Sequence, residues 1–172
     1  MPGYFVLENI VENAARNFGQ DQLTPHDERY AWAAEYVDVV YKLWEGSWDE
    51  GALLIDRARG VFADHNKIHK IHHVGPRYRV EGPHLSAPSP QRTPLLFQAG
   101  SSGAGRQFAA ANAEGQFIVT PNPTVAAELI RDTRRLAVAT GRRAEDIKFF
   151  QGLSFIIGST EAEVRRKEAE YD

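Results

Sequence analysis

The sequence predicts an α/β fold, and three observations carry that reading. Short apolar runs alternate with longer stretches in which apolar residues recur every three or four positions. Proline, glycine and short polar side chains stand between these stretches, where helices start and stop. The composition, 42% hydrophobic and 25% charged, is that of a chain that can bury a core. Together they describe strand–helix units on a parallel sheet or barrel.

The first apolar run, Tyr4–Val11, reads as a strand, followed by a loop through Arg16–Gly19. Thr24 is placed to cap a helix, with Pro25 at its first position and Asp27 and Glu28 near its positive end. Tyr30, Ala33, Val37, Val40, Tyr41 and Trp44 then form one buried face, and Gly46 ends the helix. Residues 47–93 interrupt the rhythm. This excursion holds five of the six histidines and two β-type stretches, Gly60–Ala63 and Arg77–Val80, and is expected to lie over one side of the strands without binding a metal. Four prolines between Pro83 and Pro94 force an extended path.

Regular alternation returns with a strand over Pro94–Ala99, a turn over Gly100–Gly105 and a helix through Ala113. A strand over Gln116–Thr120 leads into a helix over Pro123–Thr140, which Gly141 stops. Ile147–Ile157 is a further apolar stretch. Thr160 and Glu163 form a capping box for a last charged helix.

Several function classes are excluded or disfavoured. A net charge of −3 argues against a general nucleic-acid binder. With no cysteine there is no disulfide, thiolate metal site or cysteine nucleophile. No apolar run reaches the ~20 residues of a membrane helix, and residues 1–8 do not read as a targeting segment. A cytoplasmic protein is the expectation, without nucleic-acid or membrane partners.

The strongest candidate site is Leu96-Phe97-Gln98-Ala99-Gly100-Ser101-Ser102-Gly103-Ala104-Gly105-Arg106. A strand feeds a helix start through small residues, so backbone N–H groups, the helix dipole and the Ser101 and Ser102 hydroxyls can meet at one spot, where an anion fits. The other reading is a tight turn in which one serine only caps the helix. His26 and Tyr30 lie four apart at a helix start and share a face. They can hydrogen-bond a ligand, or be a surface histidine above a core tyrosine. The histidine-rich run His65–His73 suggests a metal, but Lys67 and Lys70 would repel a cation, and no metal is expected. No residue pattern singles out a catalytic acid, base or nucleophile.

Taken together, Val80-Glu81-Gly82-Pro83, Ser89-Pro90-Gln91, Gln98-Ala99-Gly100-Ser101-Ser102, Gly105-Arg106 and Ala109-Ala110 resemble the nitrilotriacetate monooxygenase branch of the luciferase-like superfamily. Asn9-Ile10-Val11, Ala14-Ala15-Arg16-Asn17-Phe18-Gly19 and His26-Asp27-Glu28-Arg29-Tyr30 extend the resemblance upstream. It implies a luciferase-like (β/α)8 barrel of TIM type, of which residues 1–172 form a single partial barrel domain holding strands four to seven. It also implies binding of FMN in its reduced form, FMNH2, supplied by a separate flavin reductase, and oxygenation of a small organic substrate with O2. His26, Tyr30, Ser101 and Ser102 match positions that contact FMN, mainly on its phosphate side. Glu8 stands where the family has tryptophan, and Glu12-Asn13 where it has Thr-Ser, which brings negative charge near the flavin ring. On this reading the chain alone binds FMN weakly, does not oxygenate, and self-associates as a homo-oligomer. The alternatives are a hydride-transferring flavin or deazaflavin oxidoreductase and a non-enzymatic fragment that binds a phosphate ligand or a partner.

Overall fold

The computed structural model describes residues 3–6, 12–17 and 19–171. Its centre is a four-stranded, all-parallel sheet in the order β1 (Gly3–Val6), β6 (Leu95–Ala99), β7 (Gly115–Ile118), β8 (Lys148–Gln151). Parallel neighbours require long crossovers, which the chain supplies. Helices α1 (Glu12–Asn17) and α2 (His26–Gly46) follow β1, α3 (Gly103–Asn112) follows β6, α4 (Pro123–Ala139) follows β7 and α5 (Glu161–Tyr171) follows β8. This is the expected series of strand–helix units.

The register fixes which residues share a face. Phe97 pairs with Gly115 and Gln98 with Gln116, while Phe117 pairs with Phe150. Leu96 and Gln98 are buried on β6, as are Gln116 and Ile118 on β7, beneath the helices. Tyr30 and Val37 of α2 pack with Phe108 of α3, and Ala110 of α3 packs with Ala137 of α4 and Ile147. Leu129, Thr133 and Ala137 recur at four-residue spacing and form the buried stripe of α4. Arg142 closes the end of α3, its guanidinium donating at 2.8 Å to the carbonyls of Ala110 and Ala113.

Local expectations are corrected at several points. Of the loop expected over Arg16–Gly19, Arg16 and Asn17 instead end a helix, Glu12–Asn17. Within the run Tyr4–Val11, the strand covers Gly3–Val6, and residues 7–11 lie outside the described residues, with the Glu8 position among them. The side chain of Glu12 is also outside the description. Thr24 does not cap α2: Pro25 precedes the helix with no side-chain cap, and the Thr24 carbonyl is taken by the Arg29 guanidinium. In the apolar stretch Ile147–Ile157 only Lys148–Gln151 is a strand. Beyond it the Gly152 N–H still donates to the Ile118 carbonyl of β7 at 2.8 Å, and among the described residues no neighbouring strand pairs with residues 153–157. Thr160 does cap α5, accepting from the Glu163 N–H at 3.2 Å, but the Glu163 carboxylate reaches the N–H of Ser159.

The excursion forms two antiparallel hairpins, β2 (Leu53–Asp56) with β3 (Val61–Ala63), and β4 (His73–Val74) with β5 (Arg79–Val80). Expected along the strands, it is instead laced to α2. Glu35 of α2 accepts from the N–H groups of Arg77 and Tyr78 and lies 3.2 Å from His73 Nε2. The Arg77 guanidinium stacks 4.5 Å above the Trp32 ring and pairs with Glu28. Arg92 donates to the Trp48 carbonyl, and Thr93 donates to Glu45. In the proline-rich stretch, which cannot join the sheet ladder, the Thr93 N–H is met by Glu45 on the helix surface and the His84 N–H by Ser47 Oγ within the excursion.

Candidate functional site

The site is built where β6 runs into α3. Gly100 follows the strand with φ +152°, a conformation that favours glycine. A Cβ there would come within 2.7 Å of both the Tyr30 hydroxyl and Gln98 Nε2. At Gly105, one turn into α3, a Cβ would also fall 2.7 Å from the Tyr30 hydroxyl. The two glycines form a notch that receives the phenol of a residue some seventy positions earlier. The Tyr30 ring is fixed from both sides, 5.9 Å from Phe108 and 5.1 Å from His26 between ring centroids. His26 in turn has Nδ1 2.8 Å from Asp27.

Ser102 is the N-cap of α3, its Oγ accepting from the Gly105 N–H at 3.0 Å. Ser101 is exposed, and its carbonyl accepts from the Arg106 guanidinium at 2.9 Å. The backbone N–H groups of Ser101, Ser102, Gly103 and Ala104 have no protein acceptor among the described residues. Successive free amides at a helix start form an anion-binding concavity. No acidic residue lies in the first turn of α3. Arg106, which reaches the Ser101 carbonyl, is also paired with Asp132 at 2.8 Å. The Asp132 carboxyl is held below its ordinary range, chiefly by a hydrogen bond from Arg135, against the opposing effect of burial.

The structure thus brings together four residues singled out in the sequence. Tyr30 sits directly against the Gly100–Gly105 turn, His26 packs at a tilt beside Tyr30, and Ser101 and Ser102 form the turn itself. Ser102 caps the helix, as the second reading of the serines has it, and the turn is open to solvent at Ser101. What the sequence reading missed is the support beneath the turn. Gln116 of β7 is fully buried, and its Nε2 donates to the Gly100 carbonyl at 2.8 Å. Gln98, its register partner, donates to the Ala99 carbonyl at 2.8 Å. The available signal was an amide side chain inside each of two apolar strand runs.

The histidine-rich run is divided among separate partners. His69 bonds Asp49 at 2.8 Å, and His73 lies between Glu35 and Lys42. Among the described residues no group of three or more histidines and carboxylates could hold a metal ion. No helix among them is long and apolar enough to cross a membrane.

Residues 11–171 match the family model described as luciferase-like monooxygenase. The chain belongs to this family. It is 48% identical over 166 residues to dimethyl-sulfide monooxygenase of Hyphomicrobium sulfonivorans, covering 96% of this chain and 35% of that protein. It is 37% identical to nitrilotriacetate monooxygenase component A of Aminobacter aminovorans over 164 residues, covering 92% and 36%. Among solved luciferase-like structures, DmoA from Hyphomicrobium sulfonivorans superposes with a TM-score of 0.85 at 47% identity, over 98% of this chain and 36% of that one. The riboflavin lyase RcaE, solved with modified FMN and riboflavin, superposes with a TM-score of 0.81 at 42% identity, over 92% and 35%. The fold is therefore a part of the TIM-type α/β architecture of that family, and the chain spans about a third of the length of the relatives it matches.

Proposed function

We propose that the chain is the phosphate-holding part of an FMNH2-dependent, two-component monooxygenase that oxygenates a small organic substrate with O2, in the broad branch that includes nitrilotriacetate monooxygenase. The single observation that carries this reading is the row of free N–H groups from Ser101 to Ala104, beside the Tyr30 hydroxyl and without a nearby acidic residue in the turn. A dianionic phosphate suits that arrangement. The riboflavin lyase relative supports FMN as the group held. His26, Tyr30, Ser101 and Ser102 are proposed as its contacts, with Ser101 and Ser102 on the phosphate and Tyr30 and His26 closing its side.

The bound flavin supplies the oxygen chemistry, and the protein supplies binding, orientation and exclusion of water. The residues named here bind and orient, and none of them is assigned the role of acid or base. The chain is read as one domain of a cytoplasmic, homo-oligomeric enzyme served by a separate flavin reductase. Because ring burial contributes much of a cofactor's affinity, binding through the phosphate end alone is expected to be modest.

Titration of the chain with FMN and with riboflavin, which lacks the phosphate, tests the reading. FMN is expected to bind more tightly, and Ser101→Asp, which places a negative charge in the turn, should erase that preference while leaving the melting temperature unchanged. Equal affinity for the two flavins in the unaltered chain would sink the proposal. Oxygen uptake with a flavin reductase and candidate substrates separates an oxygenase from a hydride-transfer enzyme.

A further inference from the structure

The Gly100 carbonyl is the hinge of the turn. It follows the last strand residue and is held from below by Gln116 Nε2, at 2.8 Å, from the neighbouring strand. In a planar trans peptide the carbonyl of one residue and the N–H of the next point in opposite directions. A Gly100 carbonyl drawn inward to Gln116 therefore obliges the Ser101 N–H to point away from Gln116. That N–H has no protein acceptor among the described residues.

The residue that does this is an unusual choice for its place. Gln116 is 0% exposed on the helix side of the sheet, one residue from Phe117 and two from the buried Ile118. Its amide oxygen is buried without a partner among the described residues. Burying a polar atom without a partner is unfavourable, and an apolar side chain of the same length would avoid it. Among the described residues the amide's one bond is the bond to the Gly100 carbonyl. The backbone around it is receptive: Gly100 has φ +152°, and the space where a Cβ would stand is occupied by Gln98 and Tyr30. Among the described residues nothing else donates to that carbonyl, so without Gln116 the peptide plane loses the bond that fixes it.

We propose that Gln116 is a positioning residue that holds the Gly100–Ser101 peptide plane so that the Ser101 N–H faces the anion site. It touches no ligand itself and acts through the backbone. The inference deepens the phosphate reading and rests on it for its purpose, although the orientation of the peptide can be tested separately.

Gln116→Met keeps length and volume and removes the donor. The chain and the variant are compared by amide proton–nitrogen NMR, first alone and then on titration with inorganic phosphate and with FMN. With no ligand, the Ser101 amide resonance is expected to move in the variant while amides of α4 stay in place. On titration, phosphate should shift the Ser101 amide in the unaltered chain and shift it less in Gln116→Met, with affinity for FMN reduced about fivefold, the effect of one neutral hydrogen bond. Gln151→Met, whose amide serves Gly152 and Thr120 at the end of β8 and not Gly100, should leave the Ser101 amide responsive. An unchanged Ser101 amide in ligand-free Gln116→Met, or equal phosphate responses in the two proteins, overturns the proposal. If neither phosphate nor FMN perturbs the unaltered chain, the anion-site reading fails, and Gln116 is judged on the ligand-free resonance alone. Should Gln116→Met fail to fold, Gln116→Asn, too short to reach the carbonyl, takes its place with the same expectations.

Discussion

On the helix side of the central sheet Leu96, Gln98, Gln116 and Ile118 are buried, whereas on the opposite side Phe117, Phe150 and Val119 stand partly or largely open. Both faces are rich in apolar residues, as expected of parallel strands meant to be covered on two sides. The helix side is closed by α2, α3 and α4 through contacts within the chain. The other side holds an aromatic cluster in which Phe97 leans to within 5.2 Å of Phe150, ring to ring. Gly115 makes this possible, since a Cβ there would lie 2.6 Å from Phe97 Cδ1. In a barrel that side is the interior, which is filled by side chains from strands around the ring. The contrast shows where the stability of these residues is concentrated. It also shows why the candidate site, which lies on the helix-covered side, can be organised within so short a length of chain.

The largest test of that contrast uses two adjacent residues of the same strand end. Ile118→Ala, at 2% exposure, is expected to cost about 2–4 kcal/mol of unfolding free energy, from lost burial and the cavity left behind. Val119→Ala, at 70% exposure, should change it by no more than about 0.5 kcal/mol. Urea denaturation of the two variants measures both, and equal losses would break the comparison.

A smaller effect is expected at the aromatic cluster. Gly115→Ala forces the Phe97 ring away from its place beside Phe150, at a cost of about 1–3 kcal/mol for overpacking. The near-ultraviolet circular dichroism of the aromatic residues should change with it. A variant as stable as the unaltered chain, with the same aromatic spectrum, would show that the cluster is not packed as described.

The smallest effect concerns the excursion, which is joined to the helix layer through Glu35. Burial raises the Glu35 pKa, but hydrogen bonds from the Tyr78 N–H, His73 and the Arg77 N–H outweigh it and hold the carboxyl below its ordinary value of 4.5. A carboxyl lowered in the folded state contributes stability above its unfolded pKa and loses it as pH falls through the folded value. The β4–β5 hairpin should therefore loosen from α2 below about pH 4.5, which tryptophan fluorescence would report through Trp32, beneath Arg77. Glu35→Gln should lower the melting temperature at pH 7 and flatten this acid response. A pH profile identical in the two proteins would remove Glu35 from that role.

Much of the architecture was legible because it is decided locally. Pro123 and the four-residue stripe of Leu129, Thr133 and Ala137 specify α4, and the small residues after Ala99 mark the strand-to-helix turn. The four residues expected at the phosphate end are gathered at one end of the sheet. Errors fell where one local preference outcompeted another or where a distant partner decides. Thr24 has good capping chemistry, yet the chain enters α2 through Pro25, with the Thr24 carbonyl taken by Arg29. The excursion was expected over the strands because its position between barrel units says nothing of which surface it meets. Its placement on α2 depends on Glu35, Glu45 and Glu28, separated from their partners by 38 to 49 residues.

By itself the sequence determined the succession of strands and helices, since periodicity, glycine, proline and capping residues act within a few positions along the chain. It also determined the chemistry of the Gly100–Gly105 turn, because short side chains and a helix start are local properties. Only the tertiary structure decided that the Tyr30 hydroxyl fits against Gly100 and Gly105, and that Gln116 holds the Gly100 carbonyl. Those contacts come from strand register and helix packing, which bring together residues sixteen to seventy-five positions apart. No local preference encodes them. They follow from burying a common core, where each amide and hydroxyl must then find what partner the geometry leaves it.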